Sequence, residues 1–240
     1  MTRSSFVLLL GAALLSSAGC ARTEAVPGAG AGATASAAGD VKPTSSTSAG
    51  MSGLTDSVSA AADRGRIRGS ADAPVWLIEV SDFQCPFCKQ WHDASFAALD
   101  SEYVRTGKAR MAYLNFPLTS IHPNAQAAAE AAMCASVQGK FWQMHESLFA
   151  TQQRWEGQSD PMPTFDSLAV ANGVEPKAWR DCMTSHATAR LIEADRDRSR
   201  GAGVGSTPTF FIGDRKLEGA YPTDSFRVAL DKAIAAAKSH

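Results

Sequence analysis

Two cysteines separated by two residues, Cys85 and Cys88, are the side chains whose types and spacing point most directly to chemistry. They follow the apolar run at 74–80, and the pattern after them is helical. Two thiols at this spacing can close a small disulfide, and a helix N-terminus stabilises the first thiolate through unpaired backbone N–H groups and the helix dipole. The pair therefore predicts thiol–disulfide redox chemistry.

Zinc binding is the alternative use of the same cysteines. Tetrahedral zinc takes four ligands, usually from two short Cys or His motifs. His92 lies at a helical spacing from Cys88, and the sequence contains no second Cys-x-x-Cys. Metal handling through Cys85, Cys88 and His92 is therefore the weaker hypothesis, and we expect no metal and no cofactor beyond the redox-active disulfide.

The charge balance argues against a nucleic-acid partner. The 240 residues include 23 Lys and Arg against 24 Asp and Glu, and 45% are hydrophobic. Nucleic-acid-binding domains carry a basic surface that this balance does not provide. We expect one domain with an inserted subdomain, which acts as a monomer.

The first twenty residues have the order of a secretory signal. Arg3 precedes an apolar run too short to span a bilayer as a stable helix, and small residues follow it. Residues 17–20 (Ser-Ala-Gly-Cys) resemble a bacterial lipoprotein signal, so we predict cleavage of a signal at 1–20 before Cys20 and a lipid anchor on Cys20. Cleavage after Ala21 to release a soluble protein is the alternative.

The segment at 21–56 is predicted to be a disordered linker. It is rich in Gly, Ala, Ser, Thr and Pro and shows no sustained apolar periodicity, so it cannot bury enough surface to offset its chain entropy. A short helix within 51–64 stays open as an interpretation. We assign 57–240 to the folded domain.

Within that domain, the hydrophobic pattern predicts an α/β fold. The predicted elements are strands at 75–80, 109–116, 209–212 and 216–220, a helix from 86, a mostly helical region from 124 to about 200, and a helix at 223–237. The first strand, the helix after it and the second strand indicate a βαβ unit with a parallel strand pair.

Four separated motifs occur in order along the chain. They are Glu-Val-Ser-Asp-Phe-Gln-Cys-Pro-Phe-Cys at 79–88, Asn-Phe-Pro-Leu at 115–118 leading to His122-Pro123, Gln-Gly-Lys-Phe-Trp at 138–142 followed by Met144-His145, and Thr-Pro-Thr-Phe-Phe at 207–211. Together they resemble the DsbA-like disulfide oxidoreductases. The resemblance implies a thioredoxin-like fold with an inserted α-helical subdomain at about 120–200.

The resemblance assigns roles to the redox motif. Cys85 would be the exposed nucleophile and Cys88 the buried resolving thiol. Pro86 and Phe87 would contact the substrate. Phe87 stands where strongly oxidising members of the family carry histidine, and its ring cannot donate a hydrogen bond to a thiolate. We therefore expect a higher Cys85 pKa and a less oxidising couple than in that subgroup.

Two further parts of the site are also implied by the resemblance. Pro208 would be a cis-proline that places Thr207 beside Cys85, where its backbone can pair with a bound peptide; a trans proline at a strand start is the alternative. Glu79 would be a buried acid that relays a proton to or from Cys88. The alternatives for Glu79 are a solvent-facing side chain or a pair with Lys89.

The remaining cysteines, Cys134 and Cys182, lie on two predicted helices of the insertion. An oxidising compartment favours their pairing, and the resemblance implies a cysteine pair at these places. A Cα separation below about 7 Å would allow the bond. Two buried reduced thiols are the alternative. With Cys20 lipidated, all five cysteines would have a role.

These observations predict an exported thiol–disulfide oxidoreductase at the periplasmic or extracytoplasmic face. Its partners would be cysteine-containing exported proteins, a redox recycling partner and, through the lipid anchor, a membrane. The alternative from another class is a thioredoxin-fold peptide-binding or chaperone-like module with a non-catalytic disulfide.

Overall fold

The structure, a computed structural model, describes residues 47–239, with side chains from residue 56 onward. The predicted signal at 1–20, the lipidation site Cys20 and most of the linker lie outside the described residues. The first helix, α1 (Thr47–Gly65), begins within the segment assigned to the linker, so the predicted domain boundary at residue 57 falls inside a helix. Because α1 is rich in small residues, its composition resembles that of a linker. Ala62 is nevertheless fully buried, and its carbonyl accepts a hydrogen bond from the Ser136 hydroxyl.

The described chain contains one mixed sheet of five strands in the order β1-β3-β2-β4-β5. The strands are β1 (Ile67–Arg68), β2 (Val75–Ser81), β3 (Ala109–Asn115), β4 (Thr209–Ile212) and β5 (Arg215–Glu218). β2 and β3 pair in parallel, which confirms the predicted βαβ unit, and the other pairings are antiparallel. The two-residue β1 is the strand that hydrophobic periodicity did not reveal.

Helices cover the sheet and form the insertion between β3 and β4. In chain order they are α2 (Pro86–Trp91), a π-helical segment (His92–Phe96), α3 (Ala97–Leu99), a second π-helical segment (Asp100–Val104), α4 (Ala125–Val137), α5 (Phe141–Ala150), α6 (Gln152–Trp155), α7 (Met162–Ala171), α8 (Pro176–Thr184), α9 (Ala189–Gly201) and α10 (Thr223–Ala237). The helices α4 to α9 confirm the helical region predicted from the sequence. The fold is therefore a thioredoxin-like α/β fold with an inserted helical subdomain.

Two large apolar cores stabilise this arrangement. One lies among the strands, the helical segment at 86–104 and α10, with Trp91, Phe210 and Phe226 in contact. The other lies within the helical insertion and extends to Cys88. Full burial of a large apolar side chain contributes about 1.5–3 kcal/mol. The second core thus fixes the insertion against the redox motif.

A disulfide joins two helices of the insertion. Cys134 on α4 is bonded to Cys182 on α8, with a Cα separation of 5.8 Å. The predicted pairing is therefore confirmed. Because the bonded residues are 48 positions apart, the bond closes a long loop and restricts the unfolded chain.

Removing this disulfide should lower stability. In a Cys85→Ser/Cys88→Ser background, the further change Cys134→Ala/Cys182→Ala should lower the free energy of unfolding by about 3–4 kcal/mol, measured by denaturant titration. The background removes the redox thiols from both proteins, so that only the structural bond differs. An unchanged free energy of unfolding would show that the bond does not constrain the unfolded chain.

Candidate active site

The redox motif lies where β2 ends and α2 begins. Cys85 has an extended backbone just before the helix, and Pro86 occupies the first helical turn, where its missing N–H is no loss. The Cys85 N–H donates to the carbonyl of Asp82 at 3.1 Å, and the Cys85 carbonyl accepts from the N–H of Lys89 at 3.1 Å. This geometry places the first thiol at the helix N-terminus, as predicted.

Both thiols are unbonded in this structure, and their burial differs from expectation. Cys88 is fully buried, as predicted for a resolving thiol. Cys85 is only 4% exposed, so the prediction of an exposed nucleophile is wrong. The reason is a long-range contact, because the Cys85 thiol donates to the carbonyl of Thr207 at 3.4 Å.

Thr207 and Pro208 form the opposite wall of the site. The peptide bond between them is cis, as predicted, and both residues are buried. β4 begins at the next residue and pairs with β2, which carries the backbone of Thr207 to Cys85. The site therefore joins segments more than 120 residues apart in sequence.

The two thiols have pKa values shifted in opposite directions. A hydrogen bond from Cys88 is the main cause that lowers the pKa of Cys85 to about 6; burial opposes it, and contacts with Thr207 and two backbone N–H groups reinforce it. Burial raises the pKa of Cys88, and the charge of Cys85 raises it further. Cys85 therefore ionises first, and the protonated thiol of Cys88 donates a hydrogen bond to the Cys85 thiolate.

Glu79 is the buried acid of the site. The side chain is fully buried, and neither carboxyl oxygen has a hydrogen-bond partner among the residues that the structure describes. Burial raises the pKa of Glu79 to about 8, and the nearby Ser81 hydroxyl opposes this only in part. A solvent-facing Glu79 is therefore excluded, and Lys89 is paired with Asp93 at 2.8 Å instead.

Tyr113 links this acid electrostatically to the resolving thiol, and sequence reasoning missed it. It is opposite Glu79 in the parallel register of β2 and β3 and is fully buried. Burial raises the pKa of Tyr113, and the charges of Glu79 and Cys88 raise it further. Glu79, Tyr113 and Cys88 thus form one buried group of weak acids. Only the strand register could have indicated Tyr113.

Two buried glutamines fix the turn before Cys85, and sequence reasoning missed both. The side-chain amide of Gln152 donates to the carbonyls of Phe83 at 2.7 Å and Cys85 at 3.1 Å. The Gln84 amide donates to the carbonyl of Glu156 at 2.8 Å. These contacts connect the motif to both ends of α6. These hydrogen bonds join residues far apart in sequence, so no local sequence pattern predicts them.

Pro86 and Phe87 lie on the protein surface beside the buried thiols. Phe87 is 61% exposed and presents an apolar ring to solvent. Pro86 is also exposed. Their predicted contact with a substrate is compatible with this position and stays a prediction.

His92 packs its ring against Phe96 and Phe149, with centroids 5.1 Å and 4.9 Å away. Across residues 47–239, no group of three or more His, Cys, Asp or Glu side chains is arranged to hold a metal ion.

Within residues 47–239, no helix is both long and apolar enough to cross a membrane.

A family model described as thioredoxin matches residues 61–232. The chain belongs to this thioredoxin family. Among solved structures, it resembles oxidised BdbD from Bacillus subtilis, with a TM-score of 0.65, 23% identity and coverage of 72% of this chain and 94% of that one. The family and the fold agree with the resemblance to DsbA-like proteins seen in the sequence.

Two curated relatives carry different names. The chain is 35% identical over 178 residues to "Na(+)/H(+) antiporter NhaA 3" from Salinispora tropica, covering 73% of this chain and 26% of that protein. It is 22% identical to "Disulfide bond formation protein D" from Bacillus subtilis, covering 70% and 76%. The chain thus spans about a quarter of the length of the antiporter.

The buried Glu79 should make stability depend on pH. Its folded pKa of about 8 lies above the ordinary value of 4.5. The native state therefore holds this proton more tightly than the unfolded chain. The contribution of this proton to the free energy of unfolding is fully present below about pH 4.5, and it is lost as the pH rises through about 8.

Glu79→Gln should remove that loss. Between about pH 5 and about pH 8, the free energy of unfolding of the wild type should fall relative to Glu79→Gln by up to about 1.4 kcal/mol per pH unit. Denaturant titrations at several pH values measure the difference. Glu193→Gln, at an exposed position of α9, is the matched control and should follow the wild type. Parallel curves for wild type and Glu79→Gln would contradict the assignment.

Proposed function

We propose that this protein is a thiol–disulfide oxidoreductase that exchanges disulfides with cysteine-containing exported proteins. The observation that carries the proposal is the placement of two thiols at one helix N-terminus, with Cys85 against the carbonyl of Thr207 and Cys88 fully buried. The pKa of Cys85 is lowered and that of Cys88 is raised. Such a pair provides a stable leaving thiolate at Cys85 and a proton-holding thiol at Cys88.

The exchange proceeds in two balanced steps. In the oxidative direction, a substrate thiolate attacks the Cys85 sulfur of the Cys85–Cys88 disulfide, and Cys88 leaves as a thiolate. A second substrate thiolate then attacks the substrate sulfur of the mixed disulfide and releases the Cys85 thiolate. The substrate gains one disulfide, and the protein keeps both electrons as a dithiol. The reverse sequence reduces a substrate disulfide, and the potential of the recycling partner sets the direction.

Glu79 is the proton donor and acceptor for Cys88 in this proposal. A buried thiolate at Cys88 is unfavourable, so its release needs a nearby proton. Glu79 is protonated near neutral pH because its pKa is about 8, and it lies with Tyr113 in the same buried group. General acid–base catalysis by a group titrating near the working pH is the most effective kind.

The walls of the site would hold the substrate. The backbone of Thr207 lies beside the reacting sulfur, where an extended peptide can pair with it. Pro86 and Phe87 would contact apolar residues of that peptide. Phe87 offers no charge or hydrogen bond to Cys85, which supports the prediction of a less oxidising couple than one with histidine at that position.

We also propose an extracytoplasmic location with a lipid anchor on Cys20. The signal-like sequence at 1–20 and the Gly- and Ala-rich segment that follows it support this placement. The segment would let the domain reach partners at a distance from the membrane. Loss of membrane association in Cys20→Ser, with the Cys85–Cys88 chemistry intact, tests it.

The resolving thiol provides the test of the exchange reaction. In the reductive direction Cys88 resolves the mixed disulfide, so Cys88→Ser should accumulate an adduct through Cys85 with an oxidised unfolded substrate, detected by non-reducing gel and mass spectrometry. Cys85→Ser is the matched control and should form no adduct. Absence of an adduct from Cys88→Ser, with no peptide oxidation by the wild type, would favour a peptide-binding module.

In the reductive direction Cys88 must lose its proton before it attacks the Cys85 sulfur of the mixed disulfide, so replacement of the buried acid should slow this step and leave the attack by Cys85 on the substrate largely unchanged. Glu79→Gln should lower the rate of mixed-disulfide resolution roughly a hundredfold, measured by rapid acid quench across pH. Glu193→Gln should match the wild type. An unchanged resolution rate at every pH would remove Glu79 from the mechanism.

A further inference from the structure

A histidine–carboxylate pair lies next to the redox motif, and the exchange steps do not use it. The Nδ1 atom of His122 is 2.7 Å from Oδ2 of Asp82. The Asp82 side chain is fully buried, and that of His122 is 14% exposed. The Asp82 carboxylate also accepts the backbone N–H groups of Gln84 at 2.8 Å and Leu118 at 2.9 Å. These three contacts fix the carboxylate in place.

The pair is tied to the reacting cysteine on both sides. The carbonyl of Asp82 accepts the Cys85 N–H at 3.1 Å. Beyond His122, the N–H of Asn124 donates to the side-chain carbonyl of Gln84 at 2.7 Å. The loop that carries His122 and the turn that ends at Cys85 therefore form one hydrogen-bonded unit. His122 cannot move away from the motif without breaking it.

Electrostatics connects the imidazole to the thiol. The hydrogen bond to Asp82 is the main cause that raises the pKa of His122; burial opposes it, and the charges of Asp82, Cys85 and Glu156 raise it further. A thiolate at Cys85 thus favours the imidazolium. Coupling between two proton-binding sites is reciprocal, so the imidazolium favours the thiolate to the same extent.

We propose that His122, held protonated by Asp82, is a positioning residue that supplies the positive charge stabilising the Cys85 thiolate. Asp82 alone would disfavour a nearby thiolate, because two negative charges repel. Paired with His122 it instead maintains and orients a cation. The apolar Phe87 cannot provide that charge. This inference rests on the proposed function, since it concerns the reactivity of the same thiol.

His122→Asn tests the charge with little change in shape. The Asn side-chain amide can place a donor near the position of Nδ1, so the bond to Asp82 can persist while the charge is lost. The Cys85 pKa should rise by roughly one unit, measured in the reduced protein by thiolate ultraviolet absorbance and by the pH dependence of alkylation. A Cys85 pKa equal to that of the wild type would overturn the inference.

The chain offers a matched control outside the site. His186 makes the same kind of pair, with Nδ1 at 2.7 Å from Glu130. Its backbone φ is 51°, a conformation that Asn adopts more readily than most residues. His186→Asn therefore replaces an imidazole paired with a carboxylate without backbone strain, and it should leave the Cys85 pKa unchanged. An equal rise in both variants would show that the effect is not local to His122.

The reciprocal measurement needs no substitution, so it decides the question even where His122→Asn fails to fold. Oxidation to the Cys85–Cys88 disulfide removes the thiolate, and the pKa of His122 followed by NMR should then fall. The His186 signals in the same spectra should not depend on the redox state. An identical His122 pKa in both states, with peptide exchange intact, overturns this inference alone. Absence of any exchange by the wild type overturns the proposed function itself.

Discussion

The burial of Cys88 is the constraint on which the rest of the site depends. A thiolate in an apolar core is costly, so the negative charge of the reduced pair stays on Cys85. Cys88 keeps its proton and shares it with Cys85 as a hydrogen bond. The difference between the two sulfurs therefore arises from where the helix places them. One lies at the helix N-terminus, and the other lies a turn inside, against the core.

The helical insertion maintains this burial. Its core extends to Cys88 and Tyr113, and the disulfide between Cys134 and Cys182 holds two of its helices together. Gln152 on α6 fixes the turn at Cys85 through two carbonyls. The insertion is thus part of the redox site, because it excludes water from the groups whose pKa values matter.

Much of the architecture could be predicted from the sequence, because it depends on local patterns. The strands β2 and β3 are apolar runs, and their parallel pairing follows from the helix between them. The roles of Cys85, Glu79 and Pro208 came from motif order, and the cis bond and buried acid agree with it. The start of α1 was missed because Ala- and Ser-rich helices resemble linkers in composition.

What could not be predicted depends on contacts between distant segments. The cover over Cys85 comes from Thr207, and the Asp82–His122 pair joins positions 40 residues apart. Such pairs become visible only when the sheet brings the segments together. Cys85 was expected to be exposed because a nucleophile needs access, whereas the structure combines near-complete burial with a low pKa.

Selective alkylation of the reduced protein tests the central claim most directly. With limiting iodoacetamide, Cys85 should be modified and Cys88 should stay intact, and the rate should follow an ionisation at about pH 6. Peptide mapping identifies the modified sulfur. Equal modification of both cysteines, or a rate that rises only near the ordinary thiol value of 9.0, would contradict the account.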